Sequence, residues 1–330
     1  MRDVLTSDVE LMQTAIAAAA TVRTTSPPNP WVGAAVATDD GSVIVGATEP
    51  PGGAHAEIVA LDAAGSAARG ATLATTLEPC VHHGRTGPCT EAIVEAGIAR
   101  VVVGVTDPDT NVAGAGIEAL RSAGVEVVDG VLADEVTDQL APYLHHRRTD
   151  RPYVIVKLAA TIDGRTAAPD ATSQWITGIE ARTDGHRLRA ESQAILVGAG
   201  TVRVDDPSLT TRLVDGPSPR RVVLGSAAPD AQVHPCLEWR GEISELLDQL
   251  GAEGVVQLLI EGGPNTAAQF HAEGLVDRFV AYLAPAVFGG DDAKPMFTGS
   301  GAPSIDELRR GRFVGVQQLG DDLRIDVVLD

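Results

Sequence analysis

The chain is poor in cysteine. Only Cys80, Cys89 and Cys236 occur in 330 residues, which excludes a disulfide-stapled scaffold. It also lacks any apolar run long enough to cross a bilayer. Met1-Arg2-Asp3 leads into a polar stretch without the features of a signal peptide, so a cytoplasmic protein is expected. Positive charge is scarce: 25 Lys and Arg stand against 45 Asp and Glu, a net charge of −20. A surface this acidic repels phosphate polymers, which argues against nucleic acid and anionic membrane as partners. It leaves open a small phosphorylated molecule, for which a few local cations suffice.

The composition that remains, 44% hydrophobic and 21% charged, is that of a globular protein. At about 100–200 residues per domain, two domains are expected. Ser7 can cap a helix that runs to about residue 22. Ser26-Pro27-Pro28-Asn29-Pro30 must be a loop, and 33–38 and 42–47 flank Asp39-Asp40-Gly41 as a hairpin. Helix 55–68, strand 71–77, helix 87–96, strand 100–105, helix 116–123 and strand 125–128 follow. This alternation predicts a parallel or mixed sheet with helices on its faces. The basic segment 144–152 in so acidic a chain marks the domain boundary, which doubles as a solvated helix end. The α/β pattern then restarts, with strands at 153–159, 194–197, 221–224, 255–260 and 278–283. A C-terminal hairpin over 311–319 and 323–329 turns at Gly320-Asp321-Asp322.

Three elements of the first half carry chemistry: His55-Ala56-Glu57, Pro79-Cys80 and Pro88-Cys89. One imidazole and two thiolates are the donor set of a catalytic Zn2+, which leaves its fourth position to water. Each cysteine follows a proline near the start of a helix or turn, where the helix dipole favours the thiolate. Glu57, two positions after the histidine, can move protons without being a ligand. This is the His-x-Glu…Pro-Cys…Cys signature of zinc nucleobase deaminases, in which ammonia leaves an amino-bearing ring carbon. The alternative is a structural zinc closed by His82 or His83. Common zinc deaminases have two residues between the cysteines; here there are eight, Val81 to Pro88. That insert carries cations and donors suited to an anionic substrate.

The run Glu78-Pro79-Cys80-x-His82-x-Gly84-Arg85-Thr86-x-Pro88-Cys89 resembles the deaminase domain of the bifunctional riboflavin-biosynthesis deaminase–reductases. Asn29-Pro30-x-Val32-Gly33-Ala34 and Asp107-Pro108…Val112-Ala113-Gly114-x-Gly116 agree with that family. The resemblance implies that Asn29 contacts the pyrimidine and that His82 and Arg85 lie near the substrate ring and phosphate. Where the family usually reads Asp-Pro-Asn-Pro, this chain has Asp107-Pro108-Asp109-Thr110.

In the second half, two glycine turns follow predicted strands, at 198–201 and 262–266. Such turns let backbone amides approach a phosphate at a helix N-terminus, although neither is the Gly-x-Gly-x-x-Gly of a Rossmann fold. Lys157-Leu158-Ala159…Asp163-Gly164-Arg165, Ile195-Leu196-Val197-Gly198-Ala199-Gly200-Thr201 and Asp205-Asp206-Pro207-x-Leu209-Thr210-x-Arg212 resemble the reductase domain of the same family. The resemblance implies an α/β chain with a cytidine-deaminase-like domain over 1–147 and a dihydrofolate-reductase-like domain over 148–330. It assigns Ala159, Trp175, Thr201, Asp205, Ser226 and Gly263, Pro264, Asn265, Thr266 and Ala267 to NADPH. Ser173, Arg189, Leu209, Arg212 and Glu261 fall to the substrate, the two arginines suiting a phosphate. Glu57 is the expected proton shuttle of the first reaction; Lys157, Asp205 and Glu261 are candidates in the second. Gly225-Ser226 replaces the family's usual Asp-Ser, and the segment 225–261 is shorter than in many members, by about one strand–helix unit.

The resemblance thus implies zinc-dependent deamination of 2,5-diamino-6-(5-phosphoribosylamino)pyrimidin-4(3H)-one. NADPH-dependent reduction of the ribosyl chain to 5-amino-6-(5-phosphoribitylamino)uracil follows, in a homodimer or homotetramer. The rival readings are a cytidine or tRNA-adenosine deaminase fused to an unrelated domain, and a catalytically dead binding protein. Cys236, His145, His146, His186, His234 and His271 show no ligand spacing and read as ordinary surface or core residues.

Overall fold

A computed structural model describes residues 7–81, 87–109 and 112–329. Two compact units divide the chain between Thr149 and Asp150, close to the boundary expected at 147/148.

In the first unit, Ser7 and Glu10 form a capping box that opens α1 (Asp8–Thr21). Leu11, Met12, Ala15, Ala18 and Ala19 bury one stripe of this helix, which packs on β1 (Gly33–Ala37). β1 makes the expected hairpin with β2 (Val43–Ala47), Gly33 opposite Ala47. α2 (Ala56–Ala64) lies directly on β2: a Cβ at Gly46 would fall 2.3 Å from the Ala56 carbonyl oxygen, so only glycine admits the helix there. The predicted continuation of this helix to residue 68 is a separate turn of 3-10 helix, Gly65–Ala68. β3 (Thr72–Leu77), α3 (Cys89–Ala96), β4 (Arg100–Val105), α4 (Ala115–Ser122), β5 (Glu126–Asp129) and α5 (Ala133–Thr149) complete the unit. The sheet order is β2-β1-β3-β4-β5, and β3, β4 and β5 run parallel. β3 and β4 are buried on both faces, as continuous apolar runs require. The basic segment is the end of α5, with Arg147 and Arg148 in its last turn, where cations suit the helix dipole.

In the second unit come β6 (Tyr153–Thr161), β7 (Arg165–Ala167), α6 (Ile179–Glu191), β8 (Ala194–Gly198), α7 (Ala199–Asp205), β9 (Arg220–Leu224) and β10 (Leu237–Trp239). They are followed by α8 (Ile243–Ala252), β11 (Gln257–Ile260), α9 (Pro264–Ala272), β12 (Arg278–Ala284), β13 (Lys294–Pro295), β14 (Gly311–Leu319) and β15 (Asp322–Leu329). Eight strands form one sheet, β10-β9-β8-β11-β6-β12-β15-β14. It is parallel from β10 to β12, and the predicted C-terminal hairpin adds the antiparallel β15 and β14. One face of the sheet packs Val156, Leu196 and Leu258 against Leu246, Leu250 and Phe270 of α8 and α9. The segment 225–261 holds only β10 and α8 ahead of β11. β8 and β11 are neighbours although α7, β9, β10 and α8 separate them in sequence. Their carboxyl ends, both glycine-bearing, therefore open side by side where the strand order reverses, the place at which open α/β sheets bind ligands.

Candidate active sites

In the first unit the site lies at the carboxyl ends of β3 and β4, facing the start of α2. His55 is the residue immediately before α2, and Glu57 is in its first turn, 4% exposed. Cys80 follows β3; Cys89 is the first residue of α3 and fully buried. Backbone contacts fix their separation: the Cys89 N–H donates to Cys80 Sγ at 3.4 Å, and the Thr90 N–H donates to the Cys80 carbonyl at 3.2 Å. His55 Nδ1 lies 3.2 Å from Cys89 Sγ and 3.6 Å from Cys80 Sγ. Among the described residues, these three form the one group of His, Cys, Asp or Glu donors gathered closely enough to hold a metal.

The donor set fits zinc. Tetrahedral bonds of about 2.0 Å to nitrogen and 2.3 Å to sulfur put nitrogen and sulfur ligands about 3.5 Å apart, and both observed separations bracket that value. The electrostatics agree. Hydrogen bonds from Cys89 and His55 hold the Cys80 thiol well below its ordinary range, whereas sharing with Cys80 and burial push Cys89 up. Burial raises Glu57 to about 7. Two thiols and a carboxyl enclosed together cannot all ionise unaided, and a divalent cation supplies the missing positive charge.

A cavity of 240 Å3 opens on this group; Asn29, Asp107, Asp109, Tyr143 and Arg147 also line it. Asn29 lines the same cavity as His55, Glu57 and Cys80. Asp109, where the family usually carries an amide, also lines the cavity, its backbone N–H donating to Asp107 at 2.9 Å. His82 and Arg85 lie outside the described residues.

Sequence reasoning missed three supports. Glu78 is 4% exposed and accepts four backbone N–H groups, from Asp107 (3.2 Å), Gly114 (3.0 Å), Gly116 (2.8 Å) and Ile117 (3.1 Å). It ties the end of β3 to the loop that carries Asp107 and Asp109. The Tyr143 hydroxyl donates to Asp107 at 3.1 Å, and burial raises Asp107. Arg147, from the last turn of α5, reaches the same cavity. The Glu78-Pro79-Cys80 motif carried a signal for the first; the other two come from a helix more than thirty residues downstream, which local spacing does not reveal.

In the second unit, Lys157 and Ala159 share one face of β6 by strand alternation. Lys157 Nζ lies 3.8 Å from the Glu261 carboxylate. Arg189 of α6 grips the same carboxylate through Nε at 2.6 Å and Nη2 at 2.9 Å. Glu261 is driven up by burial, but Arg189 and Lys157 outweigh it and hold the carboxyl near 2. Three predicted residues therefore form one ion-paired cluster. Asp205 does not join it: it ends α7, exposed, and makes no ion pair with Lys157 among the described residues. Arg212 is exposed, and its guanidinium donates to the Ser208 and Thr210 hydroxyls. Leu209 is buried in the same loop. Ser173 and Trp175 sit in the loop before α6, where the Trp175 ring, 66% exposed, stacks under Arg182 at 4.3 Å. The Ser226 hydroxyl accepts from Arg240.

The two glycine turns interlock. The Gly263 N–H donates to Thr201 Oγ1 at 3.3 Å, and a Cβ at Gly198 would fall 2.7 Å from Thr266 Oγ1. No side-chain oxygen caps α9; its first residue, Pro264, has no N–H, and the Thr266 and Ala267 N–H groups donate to the Gly263 carbonyl at 3.0 and 3.2 Å. Thr201 and the run Gly263 to Ala267 thus meet in one glycine-lined cradle at the ends of β8 and β11, whereas Ser226 and Trp175 sit on separate loops and Asp205 at the end of α7.

A His/Cys/Cys deaminase site on one unit and a glycine-cradle reductase sheet on the other define the class: a two-domain zinc deaminase joined to a nucleotide-dependent reductase. Two family descriptions match accordingly, the cytidine and deoxycytidylate deaminase zinc-binding region over residues 5–105 and the RibD C-terminal domain over residues 152–325. The chain belongs to the RibD family of riboflavin biosynthesis proteins. It is 42% identical to the riboflavin biosynthesis protein RibD of Mycobacterium tuberculosis, covering 97% of this chain and 96% of that one. Identity to the RibD of Bacillus amyloliquefaciens is 38%, over 96% and 95%. Among solved structures, RibD of Acinetobacter baumannii superposes with a TM-score of 0.88 at 34% identity, covering 98% of this chain and 99% of that one. The Thermotoga maritima diaminohydroxyphosphoribosylaminopyrimidine deaminase/5-amino-6-(5-phosphoribosylamino)uracil reductase gives 0.87 at 31%, with the same coverage.

Proposed function

We propose that the first unit deaminates 2,5-diamino-6-(5-phosphoribosylamino)pyrimidin-4(3H)-one and that the second reduces the ribosyl chain of the product with NADPH. The product is 5-amino-6-(5-phosphoribitylamino)uracil. The observation that carries the first step is buried Glu57 beside the His55, Cys80 and Cys89 donors. His55, Cys80 and Cys89 would hold the zinc, which would supply a water acidified toward neutral pH. In the deamination a C–O bond forms as the C–N bond breaks. Glu57 accepts the proton of the attacking water and delivers it to the departing amine, which leaves as ammonia. Asn29 orients the pyrimidine. His82 and Arg85 are assigned to the ring and phosphate from the motif alone.

In the second step NADPH supplies hydride to the ribosyl C1′, and one proton completes the reduction. Thr201, Gly263, Pro264, Asn265, Thr266 and Ala267 hold the dinucleotide, with Ala159, Trp175, Asp205 and Ser226 around it. Ser173, Leu209, Arg189, Arg212 and Glu261 form the substrate side, Arg212 presenting its guanidinium to the phosphate. Lys157, whose Nζ lies 3.8 Å from the Glu261 carboxylate, is assigned as the proton donor of that cluster.

A homodimer or homotetramer is proposed on the outer strand β14, whose Phe313 and Val316 are 72% and 64% exposed at the sheet edge. A cytoplasmic location is proposed on the thiol ligands, which a reducing compartment keeps available. The test supplies the diaminopyrimidine ribosyl phosphate with and without NADPH. Ammonia is expected in both cases, and NADPH oxidation only after deamination. NADPH oxidation without ammonia release would overturn the assignment.

A further inference from the structure

The loop 206–212 carries two of the assigned substrate contacts, Leu209 and Arg212, and its shape is costly. Leu209 has φ of +53° while only 3% exposed, a left-handed conformation that a branched side chain adopts only when its surroundings impose it. Two residues of α6 impose it here. Arg189 Nη1 donates to the Thr210 carbonyl at 3.0 Å. His186, one turn earlier on the same helix face, accepts the Arg212 N–H on Nδ1 at 2.9 Å. The Arg212 side chain then folds back onto Ser208 Oγ and onto Thr210 Oγ1 at 2.9 Å. Nothing in the sequence singled out His186.

We propose that His186 is a positioning residue for the substrate phosphate: its Nδ1 pins the backbone of Arg212, so that the guanidinium is presented to the phosphate without ordering the loop at the moment of binding. The ring is 8% exposed. An Nδ1 that accepts requires a neutral ring with its proton on Nε2. Burial, Arg189 and Arg212 keep it in that form by holding its pKa near 4. The inference rests on the assignment of Arg212 to the phosphate.

The experiment measures kcat and KM of the full-length enzyme on the pre-deaminated substrate and on its dephosphorylated form. His186→Leu removes the acceptor. KM for the phosphorylated substrate is expected to rise about five- to tenfold, the worth of one lost hydrogen bond, with kcat little changed. The dephosphorylated substrate, already lacking the group that Arg212 recognises, should respond little. His186→Asn, whose side-chain oxygen can stand near the Nδ1 position, should restore most of the difference. His186→Gln, which cannot place an acceptor there, serves where the leucine variant does not fold. Equal losses on both substrates, or an unchanged KM for the phosphorylated one, would overturn the proposal. Arg212→Ala separates the two levels. If it leaves the preference for the phosphorylated substrate intact, the phosphate assignment itself fails; if it abolishes the preference while His186→Leu does not alter it, only the role of His186 fails.

Discussion

Arg189 holds Glu261 in a two-pronged pair, at 2.6 and 2.9 Å, with both side chains largely buried. Lys157 completes a cluster of two cations on one carboxylate. Removing the carboxylate charge leaves both cations facing each other out of water. Glu261→Gln is therefore expected to cost about 3 kcal/mol of stability in the second unit and to impair reduction while leaving ammonia release intact. Thermal unfolding and the two separate activity assays check this; a stable variant with full reductase activity would contradict it.

The interlocked glycine turns predict a rescue. Gly198→Ala places a methyl group 2.7 Å from Thr266 Oγ1, and NADPH affinity should fall about tenfold as the cradle is pushed open. Adding Thr266→Ala removes the colliding hydroxyl and should recover part of the loss. Fluorescence titration of NADPH against the single and double variants measures the coupling; strictly additive effects would exclude contact between the turns.

Glu78 predicts a defect confined to the first unit. An amide at this position can accept on one side only, so Glu78→Gln leaves two of the four donated N–H groups facing an NH2. A loss of about 2–3 kcal/mol is expected, together with loss of deamination and retention of reduction. Hydrogen exchange should rise over 112–117; unchanged protection there would refute the bracing role.

Acid should weaken the second unit through His186 and Glu261. His186 has a folded pKa near 4, below its ordinary 6.5, because of burial and the adjacent arginines. Its neutral-form preference contributes stability that is complete above pH 6.5 and is lost as pH falls through 4. Glu261, held near 2 against an ordinary 4.5, contributes stability complete above 4.5 that fades toward 2. The thermal midpoint of the native chain should therefore fall between pH 6.5 and 4, and less steeply in His186→Asn. Identical slopes would remove His186 from the account.

The zinc donors and Glu57 were legible because their chemistry is written in short runs: His55 and Glu57 are two apart, and each cysteine follows a proline. The strands β3, β4, β8 and β11 were legible as apolar runs ending in turns. The expected strand 125–128 lies one residue later, at Glu126–Asp129, where pairing with β4 fixes its ends. Tyr143, Arg147 and His186 were not legible as site residues, because each acquires its role from a partner brought near by the fold. Tyr143 meets Asp107 from 36 positions away, and His186 meets Arg212 from 26. The short strands β7, β10 and β13 escaped notice because two or three residues carry no periodicity. Asp205, grouped with Lys157 as a candidate in the reduction, stands apart because α7 carries it to an exposed helix end.

The most direct test of two separate sites in one chain is Glu57→Gln, measured for ammonia release from the diaminopyrimidine ribosyl phosphate and for NADPH oxidation by the pre-deaminated compound. The zinc content should remain that of the native enzyme, since Glu57 is not a ligand. The account predicts that ammonia release falls by several orders of magnitude while NADPH oxidation stays near the native rate. Loss of both activities in a folded, zinc-loaded variant, or ammonia release at the native rate, would contradict it.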